Sequence, residues 1–322
     1  MRLRAFAIIA LLVLSLLFNM GCSSQSQLQE GKVNVITSFF PLYDFAKRIG
    51  GEDVNVINLI PTGVEPHDWT PKSKDISEIS KAQVFVYNGA GLEGWVGDLL
   101  GSITDNKRLV AVEASKGIPL IATNASQFTN ETNPGASTGK AQGLPAQSVD
   151  PHTWISPLSA MQMADNIKNG LIKADPAHQK DYLANYEAFI GELQKLHDDF
   201  RNSLDAGTLK RHEIVVSHQA FAYLCRDYGL KQLPIMGLSP DSEPTAKDLQ
   251  YISQFVKEHH VTTIFFEELV SDRLAKTLAW DLGIGTAVLN PIEGLTEQQA
   301  KAGENYISLM RENLASLLKA LN

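Results

Sequence analysis

Short apolar runs rich in β-branched residues recur at Lys32 to Thr37, Val54 to Ile60, Gln83 to Tyr87 and Arg108 to Val112. Between them lie stretches with helical spacing, such as Pro41 to Ile49 and Lys72 to Lys81. This alternation predicts an α/β unit, a parallel sheet covered by helices. Thr70-Pro71, Ser156-Pro157 and Asp175-Pro176 each read as a helix start, a capping side chain followed by proline at the first helical position. From Pro157 to Asp205 the strand pattern stops. Within that stretch Tyr182, Tyr186, Phe189, Leu193, Leu196 and Phe200 recur at spacings of three and four. That spacing predicts one amphipathic helix over Pro176 to Leu204, about 40 Å long at 1.5 Å per residue. Alternation then resumes, with strands expected over Glu213 to Ser217, Thr262 to Phe266 and Gly285 to Leu289. Helices are expected over Pro244 to Glu258 and Arg273 to Leu282.

The expected organisation is therefore lobe, helical spine, lobe: 32–156, 157–205 and 206–322. Residues Asn124 to Val149 interrupt the first lobe with Ser, Thr, Asn, Gln, Gly and Pro and almost nothing to bury. They read as a mobile surface loop.

The N-terminus changes the picture of where such a chain works. Arg2 and Arg4 precede an apolar run from Ala5 to Phe18, followed by Asn19-Met20-Gly21-Cys22 and the polar stretch Ser23 to Gly31. The run reads as a secretory signal, too short and wrongly flanked for a membrane-spanning helix. Gly21-Cys22 resembles a bacterial lipobox, with Asn19 where such motifs usually carry Leu. Residues 1–22 are thus expected to be a lipoprotein signal peptide, Cys22 the lipidated anchor and 23–31 a tether. The only other cysteine, Cys225, follows the apolar stretch Ala220 to Leu224 and reads as a core thiol. The formal net charge of −8 disfavours nucleic acid, whose phosphates draw on clustered Lys and Arg.

His67, His152, His218 and Glu293 are placed alike, each shortly past a predicted strand or in its following loop. In open parallel sheets ligands bind beyond the carboxyl ends of the strands, where the connecting loops converge. Two of the four come from each predicted lobe, so a bound ion would bridge the cleft. Three imidazoles and one carboxylate fill a tetrahedral zinc sphere and leave no open position for chemistry. On residue chemistry alone Glu293 reads more readily as a surface carboxylate in a turn. Asp150 is a candidate to orient an imidazole ligand, and Glu65 is a candidate stand-in ligand or supporting group. Glu267 and Glu268, after the strand through Phe266, are candidates too, though they read more readily as structural carboxylates. His178 and His197 fall on the spine helix, His212 precedes a strand, and His259 and His260 close a helix; none is assigned to metal.

Five segments together resemble the metal-binding solute-binding proteins of ABC transporters, in the zinc branch of the zinc and manganese lipoproteins. They are Gly63-Val-Glu-Pro-His67-Asp-Trp-Thr-Pro71, Asp150-Pro-His152-Thr-Trp154-Ile-Ser-Pro157, Val216-Ser-His218-Gln-Ala-Phe-Ala-Tyr223, Phe265-Phe-Glu-Glu-Leu-Val270 and Leu289-Asn-Pro-Ile-Glu293-Gly-Leu-Thr296. The likeness covers essentially the whole chain after the signal. It implies two α/β lobes joined by a long rigid backbone helix, with metal between the lobes, and His67, His152, His218 and Glu293 as the ligands. It implies capture of Zn²⁺ outside the cytoplasmic membrane and delivery to a membrane permease by a lipid-anchored monomer. Manganese relatives usually carry Glu and Asp where this chain has His218 and Glu293, and imidazole favours zinc over manganese. Many zinc relatives also carry a His-rich loop before the second ligand, whereas Asn124 to Val149 contains no His. An exported zinc hydrolase and a surface adhesin are the competing expectations; the hydrolase would need an open coordination position and a base, for which Glu65 is the weak candidate.

Overall fold

The computed structural model describes residues 27–103, 108–123, 148–205, 207 and 209–322. Cys22 and its signal, and all of the Asn124 to Val149 loop except Ser148 and Val149, lie outside the described residues.

Two parallel four-stranded sheets form the molecule. The first is built from β1 (Val33–Thr37), β2 (Val54–Asn58), β3 (Val84–Tyr87) and β4 (Val110–Glu113) in the order β2-β1-β3-β4. Val35 sits opposite Val56 on one side and Val84 on the other. The second contains β7 (Glu213–Val216), β8 (Lys231–Pro234), β9 (Thr263–Phe266) and β10 (Gly285–Val288) in the order β10-β9-β7-β8. Central strands are apolar on both faces because helices cover both, as a parallel sheet requires. Between the two sheets in sequence, β5 (Ala122–Thr123) and β6 (Ser148–Val149) pair antiparallel. Val149 therefore belongs to a hairpin strand and not to the loop that composition suggested.

In the first lobe the helices are α1 (Phe40–Gly50), α2 (Ser73–Ile79) and α3 (Val96–Ser102). Then follow α4 (Pro157–Ala174), a 3-10 turn (Pro176–His178) and α5 (Gln179–Ser203). The second lobe carries α6 (Ala222–Tyr228), α7 (Ala246–Glu258), α8 (Arg273–Leu282), α9 (Glu297–Ala302) and α10 (Tyr306–Leu321). One expected helix start is corrected. Thr70-Pro71 lies before the first turn of α2, whose N-cap is Lys72, with the Lys72 backbone N–H donating to Asp75 at 2.7 Å. Asp175-Pro176 opens the 3-10 turn, the Asp175 side chain pairing with His178 and Tyr182. Ser156-Pro157 does start α4, but the Ser156 hydroxyl donates to Asp227 and makes no cap hydrogen bond.

The long helix α5 links the lobes, burying Tyr182, Phe189, Leu193, Leu196 and Phe200 along the predicted stripe. One apolar cluster runs without a break from Val35 and Phe45 through Leu193 and Phe200 to Tyr223, Phe265 and Met310. Phe45 packs on Phe189 of the spine and on Tyr306 of α10, with ring centroids 5.1 and 4.9 Å apart. α4 approaches β4 so closely that a Cβ on Gly170 would meet Val112 Cγ2 at 2.3 Å, which only glycine avoids. Directed hydrogen bonds add to the shared core. Trp154 Nε1 donates to the Pro291 carbonyl at 2.7 Å, and Tyr306 Oη donates to the Trp154 carbonyl at 2.6 Å. Tyr223 Oη donates to the Asp150 carbonyl at 2.7 Å, and the Tyr306 amide donates to Asp44 at 3.1 Å. All these partners are buried or nearly so, where an unmade bond is costly. The lobes therefore meet through a packed interior and not across a bare hinge.

Candidate metal centre

Three of the clustered side chains follow the carboxyl ends of parallel strands. His67 stands on the Pro61 to Pro71 loop after β2, His218 two residues past β7, and Glu293 on the segment after β10. His152 arrives differently, from the short hairpin strand β6, and caps a 3-10 turn over Thr153–Ile155. Gly63 ties the first loop to the last: its amide donates to the Leu295 carbonyl at 2.8 Å from a left-handed turn at φ 80°.

The four ligand atoms converge. His67 Nε2 lies 3.2 Å from His152 Nε2 and 3.3 Å from Glu293 Oε1. His152 Nε2 and His218 Nε2 are 3.3 Å apart, and they stand 3.3 and 3.4 Å from Glu293 Oε1. A tetrahedron with metal–ligand bonds of about 2.0–2.1 Å has edges of about 3.3–3.4 Å. Four edges of this cluster have that length, a fifth is 3.2 Å, and all four atoms lie within 4.8 Å of one another. Among the described residues these four form the one group of three or more ligand-type side chains close enough to hold an ion.

Each of the two buried rings is aimed by a carboxylate behind it. Asp150 Oδ1 lies 2.9 Å from both the Nδ1 and the backbone N of His152. Glu267 Oε1 lies 2.7 Å from Nδ1 of His218 and 3.2 Å from its backbone N. A carboxylate on Nδ1 holds that proton there and leaves the Nε2 lone pair facing the centre. Sequence reasoning treated Glu267 and Glu268 alike, and the structure separates them. Successive side chains at a strand end point to opposite sides, so Glu267 turns to His218, while Glu268 accepts from Asn290 Nδ2 at 3.0 Å and from Gln299. The legible signal was adjacency to β9, a neighbour of β7.

Burial disfavours charge on His152, yet the Asp150 and Glu293 carboxylates outweigh it and raise its pKa. In the same way Glu267 and Glu293 overcome burial and hold His218 well above 6.5. Burial alone would raise Glu293; hydrogen bonds to the three imidazoles, with the charge on His218, push it well below 4.5. Glu65 is pushed up to about 8 by burial and the Glu293 charge. Its Oε1 accepts from the His67 amide at 3.1 Å, so it braces the loop and stands outside the ligand cluster. One oxygen on each of Glu65, Asp150 and Glu293 is buried without a hydrogen-bond partner. Such oxygens call for a positive charge nearby.

Access is one-sided. The side chains of His152, His218 and Glu293 are at most 1% exposed, whereas His67 is 11% exposed. Of the five other described histidines, three are engaged elsewhere: His178 with Asp175 and Asp53, His197 with Tyr228, and His259 with Glu213. Cys225 is buried, and burial raises its thiol pKa far above the usual value, as suits a core thiol. Among the described residues no helix is long and apolar enough to cross a membrane.

Known proteins resemble this chain in sequence and fold. The chain is 39% identical over 311 residues to the zinc-binding lipoprotein AdcA of Streptococcus pneumoniae (strain ATCC BAA-255 / R6), covering 96% of this chain and 60% of that protein. It thus spans about 60% of the length of that curated relative. It is also 39% identical over 290 residues to the high-affinity zinc uptake system protein ZnuA of Bacillus subtilis (strain 168), covering 90% of this chain and 88% of that one. The crystal structure of the Zn(II)-bound ZnuA-like domain of Streptococcus pneumoniae AdcA superposes with a TM-score of 0.75 at 37% identity, covering 90% of this chain and 99% of that one. A family profile described as zinc-uptake complex component A, periplasmic, matches residues 35–320. With its two parallel sheets, linking helix and convergent His and Glu side chains, the chain belongs to the family of zinc-uptake complex component A.

Proposed function

We propose that this protein captures Zn²⁺ outside the cytoplasmic membrane and hands it to an ABC-type permease, with His67, His152, His218 and Glu293 as the four ligands. The observation that carries this reading is the convergence of three Nε2 atoms and one Oε1, with five of their six separations at 3.2–3.4 Å and all within 4.8 Å. Its relatives, a zinc-binding lipoprotein and a zinc uptake system protein, support it. The domain division read from sequence, lobes at 32–156 and 206–322 with linker helices over 157–205, belongs to the same proposal. So do the anchor at Cys22, the tether over 23–31 and action as a monomer.

Manganese is the second candidate cargo within the family. It favours oxygen donors and higher coordination numbers, whereas three nitrogens at tetrahedral spacing favour zinc. Hydrolysis is disfavoured because four protein ligands leave no position for an activated water. The deciding experiment is competition of metal-free protein against a chelator of known affinity, with Zn²⁺ and Mn²⁺ in parallel. One tight equivalent that prefers zinc is expected. Tighter manganese binding would overturn the cargo assignment, and unchanged zinc affinity after alanine replacement of His152 or Glu293 would overturn the ligand assignment.

A further inference from the structure

Glu293 is the fourth corner of the centre, yet it stands on a segment that carries backbone strain. Of the three non-glycine residues with positive φ among the described residues, Ile292 is the only β-branched one, at φ 55°. A branched Cβ crowds the backbone in the left-handed region, so this conformation persists only where its surroundings enforce it. The enforcement is visible. The Asn290 amide donates to Asn313 Oδ1 at 2.8 Å, and Asn313 Nδ2 donates back to the Asn290 carbonyl at 2.7 Å. Asn290 Oδ1 in turn accepts from the Ile292 amide at 2.7 Å. One side chain of α10 therefore satisfies both backbone groups of Asn290, and Asn290 turns the chain at Ile292.

Asn313 is 2% exposed on a helix face otherwise made of Leu309, Met310, Leu314 and Leu317. A lone amide on such a face is costly unless both of its ends are matched, and here both are. None of its hydrogen bonds goes to a metal ligand. We propose that Asn313 is a positioning residue for the metal site: by clamping Asn290 it holds Ile292 in the left-handed region and so fixes Glu293 Oε1 at the tetrahedral corner. This rests on the ligand assignment above and deepens it. Without the clamp, Ile292 relaxes to an ordinary φ and the carboxylate turns out of the cluster, leaving three imidazoles and room for added waters.

The test uses the full chain with Co²⁺ as the spectroscopic stand-in for Zn²⁺, since its visible band reports coordination geometry. Asn313→Leu removes both clamp bonds at similar volume. Its zinc affinity is expected to fall roughly 10–100-fold, the usual effect of losing a supporting partner, and its cobalt band to lose tetrahedral intensity. Asn313→Asp keeps the acceptor and loses the donor, and an intermediate cobalt band is expected; it decides the question if the leucine variant does not fold. Leu317→Ala, one turn further along the same buried face, lowers Tm but should leave the affinity and the band as in the parent. A folded Asn313 variant with parental affinity and band would overturn the proposal, as would a Leu317→Ala variant with an equally altered band. A parent protein lacking any tetrahedral cobalt band would overturn the ligand assignment itself.

Discussion

Glu267 Oε1 stands 2.7 Å from Nδ1 of His218 while Glu293 Oε1 stands 3.4 Å from Nε2 of the same ring. The imidazole is held between two carboxylates with opposite tasks. Glu267 fixes the ring and its Nδ1 proton, and Glu293 shares the space into which Nε2 points. Replacing Glu267 by Gln keeps an acceptor but removes the charge that strengthens the imidazole as a donor to metal. Zinc affinity is expected to fall toward the low end of the roughly 10–100-fold range for such partners, and Glu267→Ala toward the high end. Chelator competition measures both; parental affinity in the alanine variant would refute the role.

Zinc binding should expel protons. His152 and His218 hold pKa values above 6.5 in the metal-free protein, and both must be neutral to bind metal. Binding is expected to release protons near neutral pH, read by calorimetry in buffers of different ionisation enthalpy. Zinc affinity accordingly rises with pH through the neutral range. Release of no protons at pH 7 would contradict the electrostatics of the site.

The same shifts govern the stability of the metal-free fold. A raised histidine pKa adds stability fully present below 6.5 and lost as pH rises through the folded value. The depressed Glu293 adds stability present above 4.5 and lost as pH falls through its folded value. From these groups the metal-free Tm is expected to be highest between pH 4.5 and 6.5. The Tm gain on adding zinc should therefore grow above that window. Thermal melts with and without zinc across pH 4 to 8 check this.

His218→Glu places an oxygen donor at one corner of the centre, as in manganese relatives, and leaves it facing Glu267. The preference for Zn²⁺ over Mn²⁺ is expected to shrink by roughly tenfold or more, from softness and geometry together. Parallel titrations of the two ions measure the ratio, and an unchanged ratio would remove His218 as the selecting residue.

Trp154→Phe deletes the indole donor to the Pro291 carbonyl and leaves that oxygen unpaired in the interior. A loss on the order of 1–3 kcal/mol is expected, measured by denaturant unfolding of the metal-free protein. No measurable loss would mean that this hydrogen bond adds nothing to the tie between the lobes.

The sequence by itself determined the alternation of strand and helix, the apolar stripe of the spine and the four residues that meet at the centre. The elements follow from local periodicity and the histidines from their places after predicted strands, while Glu293 as the fourth came from the resemblance its segment carries. It did not reveal β8, because Lys231–Pro234 is a short, partly polar edge strand ending in proline. It placed the start of α2 at Thr70-Pro71, since a cap pattern does not say whether the chain there is already committed to another loop. Tertiary structure alone decided which nitrogen of each ring faces the centre and which of two adjacent glutamates stands behind His218. It also decided that an asparagine some twenty residues beyond Glu293 clamps its segment. Those relations join residues far apart in the chain, and they depend on distances and directions that periodicity does not encode.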